Sequence, residues 1–528
     1  MTGGAMRFPS RPGVSGRDYL VTGLILLAAL AVRGWDLNAR SLWFDEAGEY
    51  WVAMSPLGTL VGSVVTGTGD PPLYSFLLHA WMALGSSPIW LRTLSVIASL
   101  AGIAGTMTLA GRLAGRRAAF AAGALMVLLP ADVRYAQEVG QYALMLAAIA
   151  WNLVALHALW KHPGMRASLA WAVSATVAAY TYYGAVFSIG VPVLCVAVES
   201  VLRRDWARVR ATLRAVALGT IGILPLVLLI LPDQMSRVLN ASVSNASVGA
   251  AQASSLRAAV LWFNPVLAFQ FTGWPYTKVP AAVPVLGALV LLGLSLRSGW
   301  RAPVWLAATW LVYALADVAG IFPYGFRWSL IMTPLLVALA GAGVGAAGGR
   351  RVRTAAWCVV GVLLLAGAVS LPNRTLRDAL YGRGPSPWPE TEDAGATLSY
   401  WREHRTGTQP TYVYYGAVPA FAYYTREMGW AEAMPPAWFI DCWHHPGPAH
   451  CGRDGVRFGK WTRGMNATQR VADVFQALGG TPDEFWVIFS HLQPNDDRDL
   501  LADLIANGYR IGAAYQATGA AAFLLQRT

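Results

Sequence analysis

Long apolar runs fill most of the first 372 residues and constrain the fold more than any other feature of the chain. Only 13% of the 528 residues are charged, whereas a soluble globular protein carries roughly 25%. An ionised side chain at bilayer depth is costly, so a lipid-facing surface requires such a deficit. Because about 20 apolar residues cross a bilayer, the runs predict a polytopic α-helical membrane protein.

Eleven of the runs predict membrane-spanning helices. They cover residues 19–35, 89–110, 118–133, 141–160, 167–181, 184–202, 215–231, 279–296, 302–321, 328–347 and 354–371. Two more apolar segments, 71–85 and 256–274, would invert the charge pattern of the loops if they crossed. We therefore predict that these two form helices at the outer surface, where their tryptophans suit the interface.

The charges between the runs predict the orientation. Residues 1–372 hold 26 Lys and Arg against 12 Asp and Glu, which gives this part the basic excess of the chain. With a cytoplasmic N-terminus, all five inner loops are basic, and cytoplasmic loops favour Lys and Arg. An odd span count then places the C-terminal residues outside a plasma or inner membrane. No basic run is interleaved with aromatic residues, so nucleic-acid binding is not expected.

Residues 373–528 have the composition of a soluble domain, with 14 basic and 16 acidic residues spread throughout. Segments 411–415 and 485–490 are aromatic and β-branched, which predicts strands, and 520–526 is a further strand candidate. Segments 392–404 and 497–507 look helical. We therefore predict a transmembrane domain over 1–372 and an extracytoplasmic α/β domain over 373–528.

Cys442 and Cys451 lie in this predicted outer domain beside several histidines. Two cysteines separated by eight residues do not match a usual zinc pattern. A disulfide that closes a small loop is the favoured interpretation outside the cell, and zinc is the alternative.

The first predicted outer loop holds two adjacent carboxylates behind two aromatic residues. Residues 41–47 read Ser-Leu-Trp-Phe-Asp-Glu-Ala, so Asp45 and Glu46 follow closely on the first span. A carboxylate near low dielectric binds a proton more readily and can act as a general base. A solvated acidic pair is the alternative. Asp70 precedes two prolines and is interpreted as a cap of the next helix.

Other polar groups lie at the same predicted edge of the membrane. The second outer loop holds Asp132, Arg134 and Glu138, and Arg327 begins a late span. A guanidinium there can hold a phosphate with two hydrogen bonds, or it can extend to the lipid head groups. Tyr182 and Tyr183 reach the same edge, where an aromatic belt is the alternative to a substrate site.

Several of these segments together resemble a known family. They are residues 41–47, Asp70 to Tyr74, 77–81, 91–95, 135–138, 142–144, 323–330 and 486–491. The pattern is similar to the bacterial, protein-mannosyltransferase-like branch of the C-type (GT-C) glycosyltransferases, which use polyprenyl-phosphate sugar donors. The firm part of the match covers residues 36–146, and a looser likeness spans most of the chain.

The resemblance implies a role for each matching residue. Asp45 would be the general base with Glu46 beside it, Glu138 would be the second-loop acid, and Arg327 would bind the lipid phosphate. The family often has Arg-Pro where this chain has Gly140 and Gln141. A further phosphate-binding cation would then come from Arg134 or Arg92. The remaining predicted substrate contacts are Asp132, Tyr182, Tyr183, His79 and Tyr324.

The resemblance implies an inverting transferase that moves a hexosyl or pentosyl group to an extracytoplasmic glycan, lipid or protein. Two alternatives remain from the residues: a transporter or flippase of lipid-linked sugars, and a non-catalytic glycan-binding assembly protein. A transporter would have internal symmetry and charges near the bilayer midplane, and the sequence has neither. No cofactor is predicted, and dependence on Mg²⁺ or Mn²⁺ is left open because carboxylates can bind either ion.

Overall fold

A computed structural model of the chain describes residues 15–66, 70–232, 263–273, 279–319, 321–322, 327–371, 392–435, 452–462, 464–492 and 495–528. We number its α-helices and β-strands in chain order. The helices of the first part are α1 Gly16–Gly34, α2 Phe44–Met54, α3 Leu57–Thr66, α4 Leu73–Met82, α5 Pro88–Ala114, α6 Arg116–Val127, α7 Pro130–Ala136, α8 Tyr142–Lys161, α9 Met165–Thr181, α10 Ala185–Leu202, α11 Trp206–Pro225, α12 Phe263–Thr272, α13 Ala282–Ser295, α14 Arg301–Val318, α15 Thr333–Gly345 and α16 Arg350–Ser370. Short π and 3₁₀ turns extend α11 over Leu226–Ile230 and precede α15 over Arg327–Met332.

Each of the eleven predicted spans coincides with a helix or a helix pair of the structure. Among the described residues, six helices are long and apolar enough to cross a membrane, or seven if one bent pair counts as a span. The chain is therefore a multi-pass membrane protein, and the total of eleven crossings stays a prediction. Outward-facing leucines and valines on these helices are exposed, as a lipid environment requires.

The bent pair is the third predicted span. Helices α6 and α7 meet at 63° where Leu128 and Leu129 separate them and Pro130 opens α7. Proline has no backbone N–H to donate, so it suits the first turn of a new helix. Arg33 of α1 donates to the carbonyl oxygens of Met126 at 2.8 Å and Val127 at 3.3 Å, which stabilises the end of α6 at the bend.

The first predicted surface segment forms a short helix. Helix α4 has 10 residues, about 15 Å of helix, which is half of the roughly 30 Å hydrocarbon core. This length agrees with the prediction that this segment does not cross. The described residues of the second segment include helix α12, Phe263–Thr272. The part of the second segment that precedes Phe263 lies outside the described residues.

The C-terminal region contains helices α17 Ala394–His404, α18 Val418–Glu427, α19 Ala467–Leu478 and α20 Asp496–Ala506. Its strands are β1 Thr411–Val413, β2 Val456–Phe458, β3 Glu484–Ser490, β4 Tyr509–Ala517 and β5 Ala520–Arg527. They form one sheet in the order β2-β1-β3-β5-β4, in which β1 is parallel to both neighbours and β5 is antiparallel to β3 and β4. The three predicted strands and two predicted helices are all present; β2, β4, α18 and α19 were not predicted.

One apolar cluster joins the first predicted outer loop to the C-terminal region. Helix α2 packs on α18, where the Trp51 indole donates to the carbonyl oxygen of Pro419 at 3.2 Å. Tyr50 meets Tyr423 edge to face with ring centroids 4.8 Å apart. Tyr50 and Trp51 are both fully buried. The helix that carries Asp45 is therefore fixed between the membrane helices and the sheet.

Candidate active site

A polar pocket of about 290 Å³ lies where α2, the start of α8 and the end of α9 meet. Asp45, Glu49, Asp70, Glu138 and Arg327 all contribute to its lining. The other described lining residues are Phe44, Gly48, Val52, Ser75, Val139, Gly140, Gln141, Tyr142, Tyr182, Trp328 and Pro419. The acids of both predicted outer loops and Arg327 thus share one cavity.

Asp45 and Arg327 form the central pair of this pocket. The Arg327 Nη1 atom lies 2.9 Å from the Asp45 Oδ2 atom, and each side chain is 35% exposed. Asp45 sits in the first turn of α2, where the amide groups of the helix N-terminus favour negative charge. The guanidinium of Arg327 lies 5.5 Å from the ring of Trp328. Both charges are within reach of a substrate, unlike a fully buried pair.

Glu49 and Asp70 add two carboxyls beside Asp45. Glu49 lies one helical turn after Asp45 and accepts a hydrogen bond from Ser75 Oγ at 3.2 Å. Burial and the nearby charge of Asp70 raise the pKa of Glu49 to about 8. Burial and the charge of Asp45 raise the pKa of Asp70 to about 6, while Arg327 opposes the rise. At neutral pH, Glu49 therefore keeps its proton and can donate a hydrogen bond into the pocket.

Glu138 also lines the pocket and is paired with Arg134. The Arg134 Nη1 atom is 3.0 Å from the Glu138 Oε2 atom, and both side chains are buried. Glu138 lines the pocket, and Arg134 does not. Of the described residues that line the pocket, only Arg327 is cationic.

Two residues predicted for chemistry instead hold the first loop in place. Arg92 is fully buried and donates to Glu46 through Nε at 2.8 Å and Nη2 at 2.6 Å. It also donates to the carbonyl oxygens of Leu37, Arg40 and Ser41, and Glu46 accepts from the Val139 amide. Burial opposes ionisation, yet Arg92 keeps the pKa of Glu46 below its ordinary value. Neither side chain lines the pocket. The roles of Arg92 as a phosphate ligand and of Glu46 as a catalytic partner stay predictions.

Asp132 has similar surroundings. It was predicted to contact substrate, but it is buried, ion-paired with Arg33 and hydrogen-bonded by Ser99 Oγ at 3.1 Å. Because these groups lie inside the helix bundle and outside the pocket lining, we assign Asp132 a structural role.

The other predicted substrate contacts fall into three groups: in the pocket lining, outside the lining, and outside the described residues. Tyr182 lines the pocket, whereas Tyr183 and His79 do not. The His79 Nδ1 atom lies 2.7 Å from the carbonyl oxygen of Ala53 and joins α4 to α2. Tyr324, like the Cys442–Cys451 pair with its disulfide and zinc interpretations, lies outside the described residues.

Glu49 was not predicted as a site residue, and the interpretation of Asp70 as a helix cap was wrong. Helix α4 begins at Leu73 after Pro72, and Asp70 lies in the pocket, where Gln141 Nε2 donates to it at 3.2 Å. The signal for Glu49 was its spacing of four residues from Asp45, which places both carboxyls on one helix face. That signal required a helix starting at Phe44, which was not predicted.

Metal binding has no visible ligand set in the described part of the chain. No three side chains of His, Cys, Asp or Glu there are arranged to hold an ion.

Comparisons with known proteins bear on this site. The sequence model of the family described as dolichyl-phosphate-mannose-protein mannosyltransferase matches residues 69–229. The structure is similar to ArnT from Cupriavidus metallidurans bound to undecaprenyl phosphate, with a TM-score of 0.57, 16% identity, and coverage of 97% of this chain and 98% of that chain. The chain has the C-type glycosyltransferase fold. The resemblance stated from the sequence is thereby confirmed.

Two further structures share the C-type fold. ArnT from the same organism in the apo state matches with a TM-score of 0.58, 15% identity, and coverage of 97% of this chain and 98% of that chain. Archaeal oligosaccharyltransferase AglB from Archaeoglobus fulgidus, in complex with an inhibitory peptide and a dolichol-phosphate, matches with a TM-score of 0.53 and 11% identity. That match covers 96% of this chain and 74% of that chain. No curated protein sequence matches the chain.

Proposed function

We propose that the protein transfers a sugar from a polyprenyl-phosphate donor to an acceptor hydroxyl on the extracytoplasmic side of the membrane. The observation that carries this proposal is the accessible Asp45–Arg327 pair, 2.9 Å apart, in a pocket of a C-type fold. A base and a phosphate-binding cation side by side are the two groups that such a transfer needs. The acceptor would be a glycan, a lipid or a protein.

In the proposed reaction, Asp45 accepts the proton of the acceptor hydroxyl. The acceptor oxygen forms a bond to the anomeric carbon, and the bond from that carbon to the phosphate oxygen breaks, with its electron pair leaving on the phosphate. Direct displacement inverts the configuration of the sugar carbon. Arg327 stabilises the charge that develops on the leaving phosphate, and such electrostatic stabilisation is usually the largest single contribution to a rate.

The ion pair supports a defined order of events. Without substrate, Arg327 and Asp45 neutralise each other. A donor phosphate competes for the guanidinium with two hydrogen bonds and releases the carboxylate for its role as base. The protonated Glu49 and the amide of Gln141 are neutral groups that line the same pocket, and they are suited to hydrogen bonds with sugar hydroxyls.

A second cavity supports a lipid-linked donor. This groove, of about 600 Å³, runs along α8 and α9 and is lined mainly by apolar side chains such as Leu144, Trp151 and Val177. The outer ends of the same helices supply Tyr142 and Tyr182 to the polar pocket. An apolar groove that leads toward a phosphate-binding residue fits a prenyl chain.

Two substitutions test the proposal in purified, lipid-reconstituted protein. Donors would be undecaprenyl-phosphate mannose, arabinofuranose and galacturonate, and binding of undecaprenyl phosphate would be measured by intrinsic fluorescence. Asp45→Asn should reduce kcat at least 10³-fold, on the order of a lost general base, and keep lipid binding. Arg327→Gln should weaken undecaprenyl-phosphate binding on the order of 10-fold or more, because a charge-assisted hydrogen bond is lost.

The neighbouring exposed residues Asp499 and Arg498 on α20 supply matched controls, as Asp499→Asn and Arg498→Gln. Both controls should retain full turnover. Wild-type turnover in Asp45→Asn would contradict the proposal. Movement of lipid-linked sugar across the bilayer by that variant, with no transfer by the wild type, would favour the transporter alternative.

A further inference from the structure

The loop that carries Asp45 is attached to the C-terminal region at successive residues. Ser41 Oγ donates to Asp393 Oδ1 at 3.1 Å and accepts from the Gly395 amide at 3.1 Å. The Leu42 amide donates to the Tyr424 hydroxyl at 2.8 Å. The approach to α2 is thus fixed by residues from the far end of the chain.

His491 contacts Phe44, the residue that precedes Asp45. Its imidazole stacks on the ring of Phe44, the first residue of α2, with ring centroids 4.3 Å apart and an angle of 14° between the planes. Phe44 lines the pocket and immediately precedes Asp45, whereas His491 does not line the pocket. His491 therefore acts on the pocket through Phe44.

The backbone at His491 is held in an uncommon conformation. The residue follows β3 with φ of +53°, in the left-handed region that side chains with a Cβ rarely adopt. Such backbone strain persists where surrounding structure enforces it, and it concentrates at functional sites. Gly416 provides the space, since a Cβ there would lie 2.5 Å from the Ser490 carbonyl oxygen and 3.0 Å from the His491 Cβ.

A buried carboxylate orients the imidazole. Glu392 accepts from Ser490 Oγ at 2.7 Å through Oε2, and its Oε1 atom lies 2.8 Å from His491 Nδ1. Burial lowers the pKa of His491, but the hydrogen bond and the charge of Glu392 outweigh it and raise the pKa overall. The other charged groups that face the imidazole are Asp45, which adds to the rise, and Arg327, which opposes it.

We propose that His491, held by Glu392, is a positioning residue that fixes the first turn of α2 so that Asp45 faces Arg327. This inference deepens the proposed function and rests on it, because it assumes that Asp45 is the base. A shift of the carboxylate by about 1 Å is enough to cost on the order of 10²-fold in rate, so a flat stack one residue away has a large effect.

The test uses His491→Ala in the full-length protein. We expect kcat to fall about 10²-fold, in line with the cost of misplaced groups, with the KM for the lipid donor and the binding of undecaprenyl phosphate unchanged. His404 supplies a matched control, because it also stacks on a ring, that of Tyr400 at 3.9 Å, but lies exposed on α17. His404→Ala should keep wild-type kcat.

Two more variants separate positioning from a merely structural role. The imidazolium form makes the stronger bond to Glu392, so kcat should decline as pH rises through the pKa of His491. Glu392→Gln removes the group that raises this pKa, so the decline should move to lower pH. The double variant His491→Phe with Glu392→Gln keeps a ring on Phe44; it should recover at least part of kcat and lose this pH dependence.

The inference is overturned if His491→Ala retains wild-type kcat, or if Glu392→Gln leaves the pH profile in place. If His491→Ala loses both its fold and its lipid binding, and the double variant recovers neither, the result also counts against the inference. Failure of the proposed function looks different, because Asp45→Asn would then be fully active. If Asp45→Asn is inactive while His491→Ala and its pH profile match the wild type, only this inference fails.

Discussion

At the scale of single residues, the pocket is lined by four carboxyls, on Asp45, Glu49, Asp70 and Glu138, with one lining cation among the described residues. Burial, together with the charges of Asp70 and Asp45, explains why Glu49 keeps its proton, with a pKa of about 8 against an ordinary value of 4.5. Because a neutral Glu49 does not compete for the guanidinium, Arg327 pairs with Asp45. The neutral Glu49 also reduces charge repulsion around the proposed base. Its protonation also makes stability depend on pH.

Glu49→Gln tests this protonation. Between about pH 4.5 and 8 the unfolded chain loses the Glu49 proton while the folded chain keeps it, so wild-type stability falls as pH rises through that window. Glutamine carries no such proton, so the melting temperature of the variant should fall less between pH 5 and 8. Thermal unfolding in detergent across this range measures the difference. The exposed Glu403→Gln is the control, and melting curves that shift in parallel would contradict the assignment.

The residue scale is also where sequence reasoning was weakest. Asp45, Glu138 and Arg327 were selected by motif, and all three meet in one pocket. Glu46, Arg92 and Asp132 share the same charge types and loops, yet they are buried in ion pairs. Spacing along a chain does not report which acid finds a buried arginine, because that depends on tertiary packing. Segment 486–491 contributed to the family resemblance, but it did not indicate that His491 stacks on Phe44, which is more than 440 positions away.

At the scale of elements, the predicted spans coincide with helices because long apolar runs determine both. The bend between α6 and α7 was not predicted, although Pro130 marks its position. The strands β2 and β4 were missed because β2 has three residues, while β4 is mostly exposed and contains four Gly or Ala residues, which are depleted in strands. The bend interrupts the helical hydrogen bonds of the backbone. The buried Arg33 side chain compensates by donating to the carbonyl oxygens of Met126 and Val127.

Arg33→Met tests the role of that arginine. The substitution leaves Asp132 buried without its ion pair, and breaking such a pair typically costs about 3–5 kcal/mol. We expect a clear loss of unfolding free energy in lipid-like detergent. Adding Asp132→Leu should restore most of it, because an apolar pair replaces the ionic one. Arg17→Met, on the exposed start of α1, is the control. Equal stability of the single variant and the wild type would contradict the role.

At the scale of the whole molecule, the membrane helices and the C-terminal sheet meet around α2 and bury one continuous apolar cluster. The pocket lies at this junction, so it must be on the side of the membrane that holds the C-terminal region. Charge bias in the loops predicts that this side is extracytoplasmic.

Cysteine labelling tests the orientation. In a background without Cys195, Cys358, Cys442 and Cys451, Glu403→Cys on α17 should react with a membrane-impermeant maleimide on intact cells. Arg166→Cys, in a predicted inner loop, should react only after permeabilisation. Both positions are exposed, so access to the reagent depends on the side of the membrane. The opposite labelling pattern would invert the topology and remove the extracytoplasmic assignment.

The attachment of Ser41 and Leu42 to residues 352 and 382 positions later has a consequence for biosynthesis. During translation, the loop with Asp45 enters the membrane long before its anchoring partners leave the ribosome. Contacts so distant in sequence form late in folding. A nascent or prematurely terminated chain therefore lacks these contacts to Asp393, Gly395 and Tyr424. Under the proposed function, its Asp45 is not yet fully positioned for sugar transfer.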